Sequence, residues 1–413
     1  MYEIESTRQT LFHSGLTDEI EVILERIMER CIKPNNTSFY GLLEGNSGVS
    51  LFCANYWLYQ SKEANEEILQ NKLQSVIDNG IHTDYLVSSL ATGYTGIAFV
   101  FKNLVDNGLL DQEDIPYLAE IHPLIIDSLE TDFKSEDYSL LYGAIGKGIY
   151  LLKEPAKNKQ AIASIVQYLS DTAIVNEDNQ CWWYRKNGSY DSVIVLGQAY
   201  GLSSIILFLL KCYLNDIQKE RCQSLIESTI SFILAQKKKS KRAMYPSTIG
   251  EEPERANRLA WCYGDLNIAF VLFKCATVFN NNDYSVEAAL VLNSCLERNL
   301  LTSYVNFEEQ NNVYDPGFCH GTAGVAYIFK RLYQLSGNKE AERAAIEWLN
   351  YTLLSCKVKL ENKSELAATI NVQGTPFTKS FYSNLITGYA GIGLVLLDFL
   401  DSSTDWNELF QLD

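Results

Sequence analysis

The chain has 413 residues, 47% of them hydrophobic and 21% charged, with a formal net charge of −17. That excess of negative charge repels phosphate and argues against a nucleic-acid partner, and ten cysteines over this length are too sparse for a disulfide scaffold. Met1 to Thr10 carries charge without an apolar h-region, and no uncharged apolar run reaches the roughly 18 residues of a membrane span, so we expect a cytoplasmic protein without membrane insertion.

Along the chain, two kinds of segment alternate. Glu19 to Cys31 and Glu66 to Ile77 mix charge and hydrophobe at helical spacing and predict helices with one wet face. Glycine motifs that open strongly apolar runs stand apart from these: GLLEGNSGVSLF from Gly41, SLATGYTGIAFVF from Ser89 and SLLYGAIGKGIYLL from Ser139. Gln160 to Ala173 is again amphipathic. Cys181 to Ser192 follows, with Trp182, Trp183 and Tyr184 leading into Lys186-Asn187-Gly188-Ser189, a hairpin-turn signal. VLGQAYGLSSIILFLL runs from Val195, and Gln218 to Leu234 is amphipathic. Lys237 to Arg255 reads as a loop whose basic run KKKSKR is a solvated turn, with docking of an acidic peptide segment as the sharper alternative. LAWCYGDLNIAFVLF starts at Leu259 and GFCHGTAGVAYIF at Gly317. The amphipathic stretch Lys339 to Leu354 precedes an insert, Lys359 to Lys379, with β-branched residues and a Gly-Thr-Pro turn. NLITGYAGIGLVLL from Asn384 ends the series.

The glycine motif thus occurs seven times, around Gly45, Gly93, Gly143, Gly201, Gly264, Gly321 and Gly388, at steps of 48 to 67 residues. A helix apolar on nearly every side is buried on every side, and no helix pair can bury such a face alone. Seven pairs closed into a ring satisfy both conditions. We therefore expect an all-α, single-domain chain over residues 1–413. Its fold would be an α/α toroid, a double-layered barrel of seven outer and seven inner helices with short β-hairpin inserts. The glycines should start the inner helices, permit positive φ and let backbones crowd at one end of the ring, where unpaired N–H groups raise the potential.

Aligning the repeats brings out a metal constellation. Cys262 lies two residues before Gly264, Cys319 lies two before Gly321, and His320 follows Cys319. Adjacent repeats place equivalent positions side by side, so two sulfurs and an imidazole converge. The set suits Zn2+, and three ligands leave one tetrahedral position open, as in catalytic sites. No other repeat offers a Cys or His there, and His13, His82 and His122 fall in outer or connecting segments. The bland alternative is a pair of buried thiols with a histidine beside one of them. Activating water would need a nearby general base, and only Asp265 and Asp315 are close in sequence. Two thiolate ligands favour a thiol nucleophile instead.

Trp261-Cys262-Tyr263-Gly264 and Cys319-His320-Gly321, on this sevenfold repeat, resemble the lanthionine synthetase C-like family, from about Gly41 to Leu397. The resemblance implies an α/α toroid with one zinc bound by Cys262, Cys319 and His320. Family members include lanthipeptide cyclases. After a partner dehydratase has converted Ser and Thr of a precursor peptide to dehydro residues, the cyclase adds Cys thiols of that peptide across the double bonds, giving (methyl)lanthionine thioethers. Arg258, four residues before Cys262, matches a family position near the zinc, where it could stabilise the enolate or pair with a local carboxylate. In two places the chain departs from the family. The fourth repeat usually reads His-Gly but here has Tyr200-Gly201, so Tyr200 is either the replacement proton donor or a structural residue. The third repeat usually has an aspartate four residues before its glycine, where this chain has Ser139, with Asp137 nearby. Asp265-Leu266-Asn267 also replaces the commoner Pro-Gly after the fifth motif. Other readings are a weakly catalytic zinc-binding peptide scaffold, motivated by Tyr200 and Ser139, and addition of glutathione to dehydrated residues. An α/α-barrel glycosidase would need two placed carboxylates, which the motifs do not offer.

Overall fold

In the computed structural model the described residues are 14–33, 39–60, 64–80, 87–111, 113, 115–185, 193–238, 243–249, 258–309, 312–361, 367–372, 375–380, 383–400 and 405–413. Helices α1 (Ser14–Ile32), α2 (Asn46–Gln60), α3 (Ala64–Gly80) and α4 (Tyr94–Asp106) open the chain. They are followed by α5 (Pro116–Ser135), α6 (Ala144–Leu151), α7 (Lys159–Thr172) and α8 (Leu202–Leu214). Then come α9 (Lys219–Ala235), α10 (Asp265–Phe279), α11 (Asn282–Leu296), α12 (Thr322–Ser336), α13 (Lys339–Glu361) and α14 (Tyr389–Leu400), before a 3-10 turn at Trp406–Phe410.

The even-numbered helices follow the glycine motifs and are buried on all sides; α8 is buried without interruption from Leu202 to Leu210. The odd-numbered helices bury one stripe. In α7 it includes Ile162, Ile165, Val166 and Leu169, the i, i+3, i+4, i+7 spacing of a one-sided helix, with Tyr168 at its edge. Each even helix packs on the next even one, and α14 returns to α2, so the inner layer closes as a ring of seven with seven outer helices around it. The toroid is therefore as expected. Two outer helices, α5 and α11, lacked a clear pattern in the sequence. Helix α5 runs through Pro123 and still buries Ile121, Ile125 and Leu129. His122 lies on α5, as expected of an outer segment, while His13 and His82 lie outside the described residues.

The glycines behave differently from expectation in one respect. Gly93, Gly143, Gly201 and Gly321 cap inner helices with φ between −104° and −137°, which any residue can adopt. Among the motif glycines Gly264 alone has a positive φ, at 109°. Crowding is the real constraint: a Cβ on Gly93 would lie 1.8 Å from the Val87 carbonyl oxygen, and one on Gly143 2.2 Å from that of Asp137. These neighbours are backbone atoms and cannot swing aside. Gly93→Ala should therefore cost about 3 kcal/mol despite an allowed φ, measured by urea unfolding. An unchanged midpoint would show that the turn relaxes.

That crowding serves a belt of backbone hydrogen bonds joining the position two residues before each motif glycine. Leu43 N donates to Ala91 O (2.8 Å) and Ala91 N to Leu141 O (2.9 Å). Ala199 N donates to Cys262 O (3.4 Å), Cys262 N to Cys319 O (3.4 Å), Cys319 N to Ile386 O (2.9 Å), and Ile386 N back to Leu43 O (3.1 Å). Only the step from Leu141 to Ala199 lacks such a bond among the described residues. The belt fixes the repeats in register at one end of the ring.

Among the described residues four antiparallel two-stranded sheets decorate the toroid: Ile174–Val175 with Cys181–Trp182, Ile194–Val195 with Thr248–Ile249 across two helices, Phe307–Glu308 with Val313–Tyr314, and Ala367–Val372 with Thr375–Ser380. Cys181–Trp182 pairs backward with Ile174–Val175 rather than within 181–192, and Arg185 bridges Val193. The expected turn from Lys186 to Ser189 lies outside the described residues. Lys237 to Arg255, read as loop, supplies the strand Thr248–Ile249. Of the basic run, Lys237 pairs with Glu287 at 2.6 Å, while positions 239–242 lie outside the described residues. In the last insert, Lys359 still belongs to α13, and Pro376 stands in a strand opposite Asn371 rather than in the turn. No helix among the described residues is long and apolar enough to cross a membrane.

A ring of seven helices leaves a space on its axis. Residues 405–413 fill it from the end away from the glycine belt, with Trp406, Leu409, Phe410 and Leu412 all fully buried.

Candidate metal centre

The belt builds the floor of a cavity of about 790 Å3. Every repeat lines it with the two residues that precede its glycine, from Leu43 and Glu44 in the first to Ile386 and Thr387 in the last. In repeats five and six these are Cys262 with Tyr263 and Cys319 with His320. The other walls come from the inserts: Arg185, Val193, Val195, Ser247, Thr248, Arg258 and Tyr304.

Cys262 and Cys319 meet because the belt hydrogen-bonds their repeats together: Trp261 N and Cys262 N both donate to Cys319 O, at 3.0 and 3.4 Å. The donor atoms of Cys262, Cys319 and His320 all lie within 4.8 Å of one another. Among the described residues this is the cluster of three such side chains that could hold a metal ion. Cys262 is buried, and the other two are half-buried at the cavity.

A hydrogen bond from the Cys319 thiol pulls the Cys262 thiol down to about 6, against burial, with His320 and Arg258 adding to the effect. Cys319 is pushed up because it gives that hydrogen bond, and the His320 imidazole is pushed up by its contact with Cys262 and by Asp315. The Cys262 thiol thus gives up its proton more readily than a free thiol, beside an imidazole whose protonated form is favoured. Such a set is ready to exchange its protons for a thiophilic cation.

Asp315 has a role that sequence proximity did not reveal. Its Oδ2 lies 3.5 Å from His320 Nε2, and its Oδ1 accepts from Gly317 N at 2.8 Å. It therefore orients the imidazole, as carboxylates behind metal-binding histidines do. Asp265, the other acid near the motifs, is fully buried and accepts from Met244 N and Tyr245 N at 2.9 and 3.0 Å, a structural task.

Tyr200 and Arg258 line the same cavity as the three donors. Among the described residues no ion pair engages Arg258, so the alternative of a local carboxylate partner finds no support. The Arg185 guanidinium lies 4.1 Å from the centre of the Tyr200 ring, and Tyr142 stacks beside that ring at 6.2 Å. Burial holds the Tyr200 phenol above the usual tyrosine range, partly offset by Arg185. Ser139 does not reach the cavity; its Oγ accepts from Tyr142 N at 3.2 Å, and its own N donates to Asp137 Oδ1 at 2.9 Å. Both residues shape the third turn.

Sequence reasoning missed Tyr142, Tyr263, Arg185 and Tyr304. Tyr142 and Tyr263 precede motif glycines and follow from extending the repeat alignment by one column. Arg185 and Tyr304 sit in inserts, where the repeat carries no signal. Tyr304 has φ 58°, a left-handed backbone that a bulky residue keeps only under constraint. Arg298 supplies it by donating to Thr302 O, and Leu259 N by donating to Ser303 O, both at 3.0 Å.

The family described as lanthionine synthetase C-like protein matches residues 40–411. The glutathione S-transferase LANCL1 of Danio rerio is 27% identical over 179 residues, 42% of this chain and 38% of that protein, so the match spans about two fifths of the relative's length. The solved structure of nisin cyclase superposes with a TM-score of 0.73 at 18% identity, over 97% of this chain and 98% of that one, a likeness of fold.

Proposed function

The chain belongs to the lanthionine synthetase C-like family, and on that premise we propose that it is a zinc-dependent cyclase forming thioethers on a dehydrated precursor peptide. The observation that carries this reading is the convergence of Cys262, Cys319 and His320 with Tyr200 and Arg258 in one cavity. The donor set fits zinc: two thiols within reach of one another, one imidazole beside a carboxylate, and room for a fourth ligand. When bound, the ion would supply a Lewis acid that keeps a substrate thiol ionised near neutral pH.

The remaining work falls to the chain. The substrate sulfur bonds to the β-carbon of dehydroalanine or dehydrobutyrine, and the C=C electron pair moves onto the adjoining carbonyl as an enolate. Arg258, free of any carboxylate within ion-pair reach among the described residues, would stabilise that charge. Tyr200 would give a proton to the α-carbon and regain one from solvent, which takes up the proton the thiol released, so the addition balances.

The expected substrate is a Cys-containing peptide already dehydrated by a partner dehydratase, in the cytoplasm. Likeness to a glutathione S-transferase supports a second reading, in which the thiol is intermolecular and belongs to glutathione. A weakly catalytic peptide scaffold is the third. One assay separates them: incubate the protein with a dehydrated, Cys-containing peptide, with and without glutathione, and count free thiols. Cyclisation consumes peptide thiols without mass change, glutathione addition raises the mass, and a scaffold leaves the spontaneous rate unaltered.

A further inference from the structure

Three residues before each motif glycine the chain carries a fully buried side chain that does not line the cavity. Four repeats have leucine there and the fourth repeat has Gln198. Aromatics occur only in the two repeats with the cysteines, as Trp261 and Phe318. Both rings converge on Phe410: its centroid lies 4.8 Å from that of Trp261, nearly edge-on at 73°, and 4.2 Å from that of Phe318. The Phe410 carbonyl accepts from Trp261 Nε1 at 3.2 Å and also from Gln198 Nε2. Trp406 packs on Phe318 from another side, at 5.8 Å.

The segment that carries Phe410 is itself anchored to the inner layer. Gln411 Nε2 donates to Ser204 O on α8 at 3.2 Å, and Lys274 Nζ on α10 to Asp413 O at 2.6 Å. Asn407 Nδ2 donates to the Tyr327 hydroxyl on α12 at 2.9 Å, and Lys153 pairs with Glu408 at 2.6 Å. The helices α10 and α12 are those whose starts carry the donors. Each aromatic ring sits one residue from its sulfur, on a short stretch tied across to the neighbouring repeat. A shift of either ring therefore moves a sulfur.

The geometry points to residues 405–413 as the seat of the two-sulfur site. Phe410 is a positioning residue that wedges Trp261 against Phe318 and thereby sets the separation of Cys262 from Cys319. The inference rests on reading Cys262, Cys319 and His320 as metal ligands, and it adds a support from the opposite face of the ring. It accounts for aromatics standing at this position only behind the cysteines.

The test compares Phe410→Ala, Phe410→Leu and Trp261→Phe with wild type and with Ile226→Ala, a core truncation in α9. Two readouts are taken well below the unfolding temperature. One is the rate of zinc release to a chromophoric chelator. The other is capture of phenylarsine oxide by the metal-free protein, which requires two thiols held close and is mapped by mass spectrometry; the other eight cysteines are buried. Phe410→Ala should release zinc about ten-fold faster or more, and arsenical capture should fall by a similar factor, the scale seen when a ligand's support is removed. Phe410→Leu should restore most of both. Ile226→Ala should stay within about two-fold of wild type in both while losing stability of the order expected for a core truncation. Phe410→Ala behaving like Ile226→Ala would overturn the inference. Should Phe410→Ala not fold, Trp261→Phe carries the comparison, with release about three-fold faster expected and wild-type values in both readouts overturning it. A wild-type protein that holds no zinc would refute the ligand assignment instead, and the arsenical arm would still decide on the seat.

Discussion

Cys262→Ala is expected to lose the bound zinc and to reduce thioether formation to its spontaneous rate, with the toroid intact. The sulfur is buried, while its backbone does the structural work: Cys262 N donates to Cys319 O and Cys262 O accepts from Ala199 N. Alanine keeps both bonds, so the loss of stability should stay near 1 kcal/mol, the cost of a small core truncation. The effect on the metal is larger. Zinc held at about 12 kcal/mol by three protein donors leaves roughly 4 kcal/mol on each, a loss of about a thousand-fold for one donor removed. His320→Ala should behave alike. Asp315→Asn keeps the shape and weakens the hold on the imidazole, so an intermediate loss of about 10- to 100-fold is expected. Competition with a chromophoric chelator ranks the three, and thiol counting on a dehydrated peptide follows activity. Ring formation at the wild-type rate by a zinc-free Cys262→Ala protein would sink the proposed function.

The same belt explains how much of this could be read from the sequence. The seven glycines were visible as a period, and a period that recurs in a closed ring brings equivalent positions side by side. Residues 57 apart, Cys262 and Cys319, could thus be matched before any coordinate was known. The reason assigned to the glycines was partly wrong, because tight backbone contact rather than positive φ demands them at Gly93 and Gly143. Helix α5 was obscured by Pro123, although its buried stripe is regular in the folded chain. The walls of the cavity were not legible. Arg185 and Tyr304 come from inserts outside the repeat and reach the site through a β-bridge and a constrained turn. Phe410 was hidden for a different reason: nothing local marks a segment near the end of the chain as filling the axis of a ring built by everything before it.

The proposed acid–base half of the site rests on Tyr200, and Tyr200→Phe tests it with the largest contrast after the metal ligands. Phenylalanine preserves the ring that lies under Arg185 and beside Tyr142 and removes only the hydroxyl. If Tyr200 delivers the proton to the enolate, turnover should fall by about 10²- to 10³-fold with little change in KM, the range expected for loss of a general acid. A purely structural Tyr200 would leave turnover within about two-fold, since the stacking survives. The pH profile adds a second discriminator. Because burial holds the phenol above its ordinary range, it remains protonated, and so competent as an acid, across roughly pH 6 to 9. Wild type should therefore show no alkaline decline in that window that Tyr200→Phe abolishes. Tyr200→His supplies a donor that loses its proton near about pH 6.5. As an acid it is active below that value, so its rate should fall as pH rises through neutrality where wild type stays level. A Tyr200→Phe protein with unchanged turnover and a Tyr200→His protein with an unchanged profile would together assign the proton to another donor at the cavity, and Tyr142, stacked on the same ring, is the next to replace.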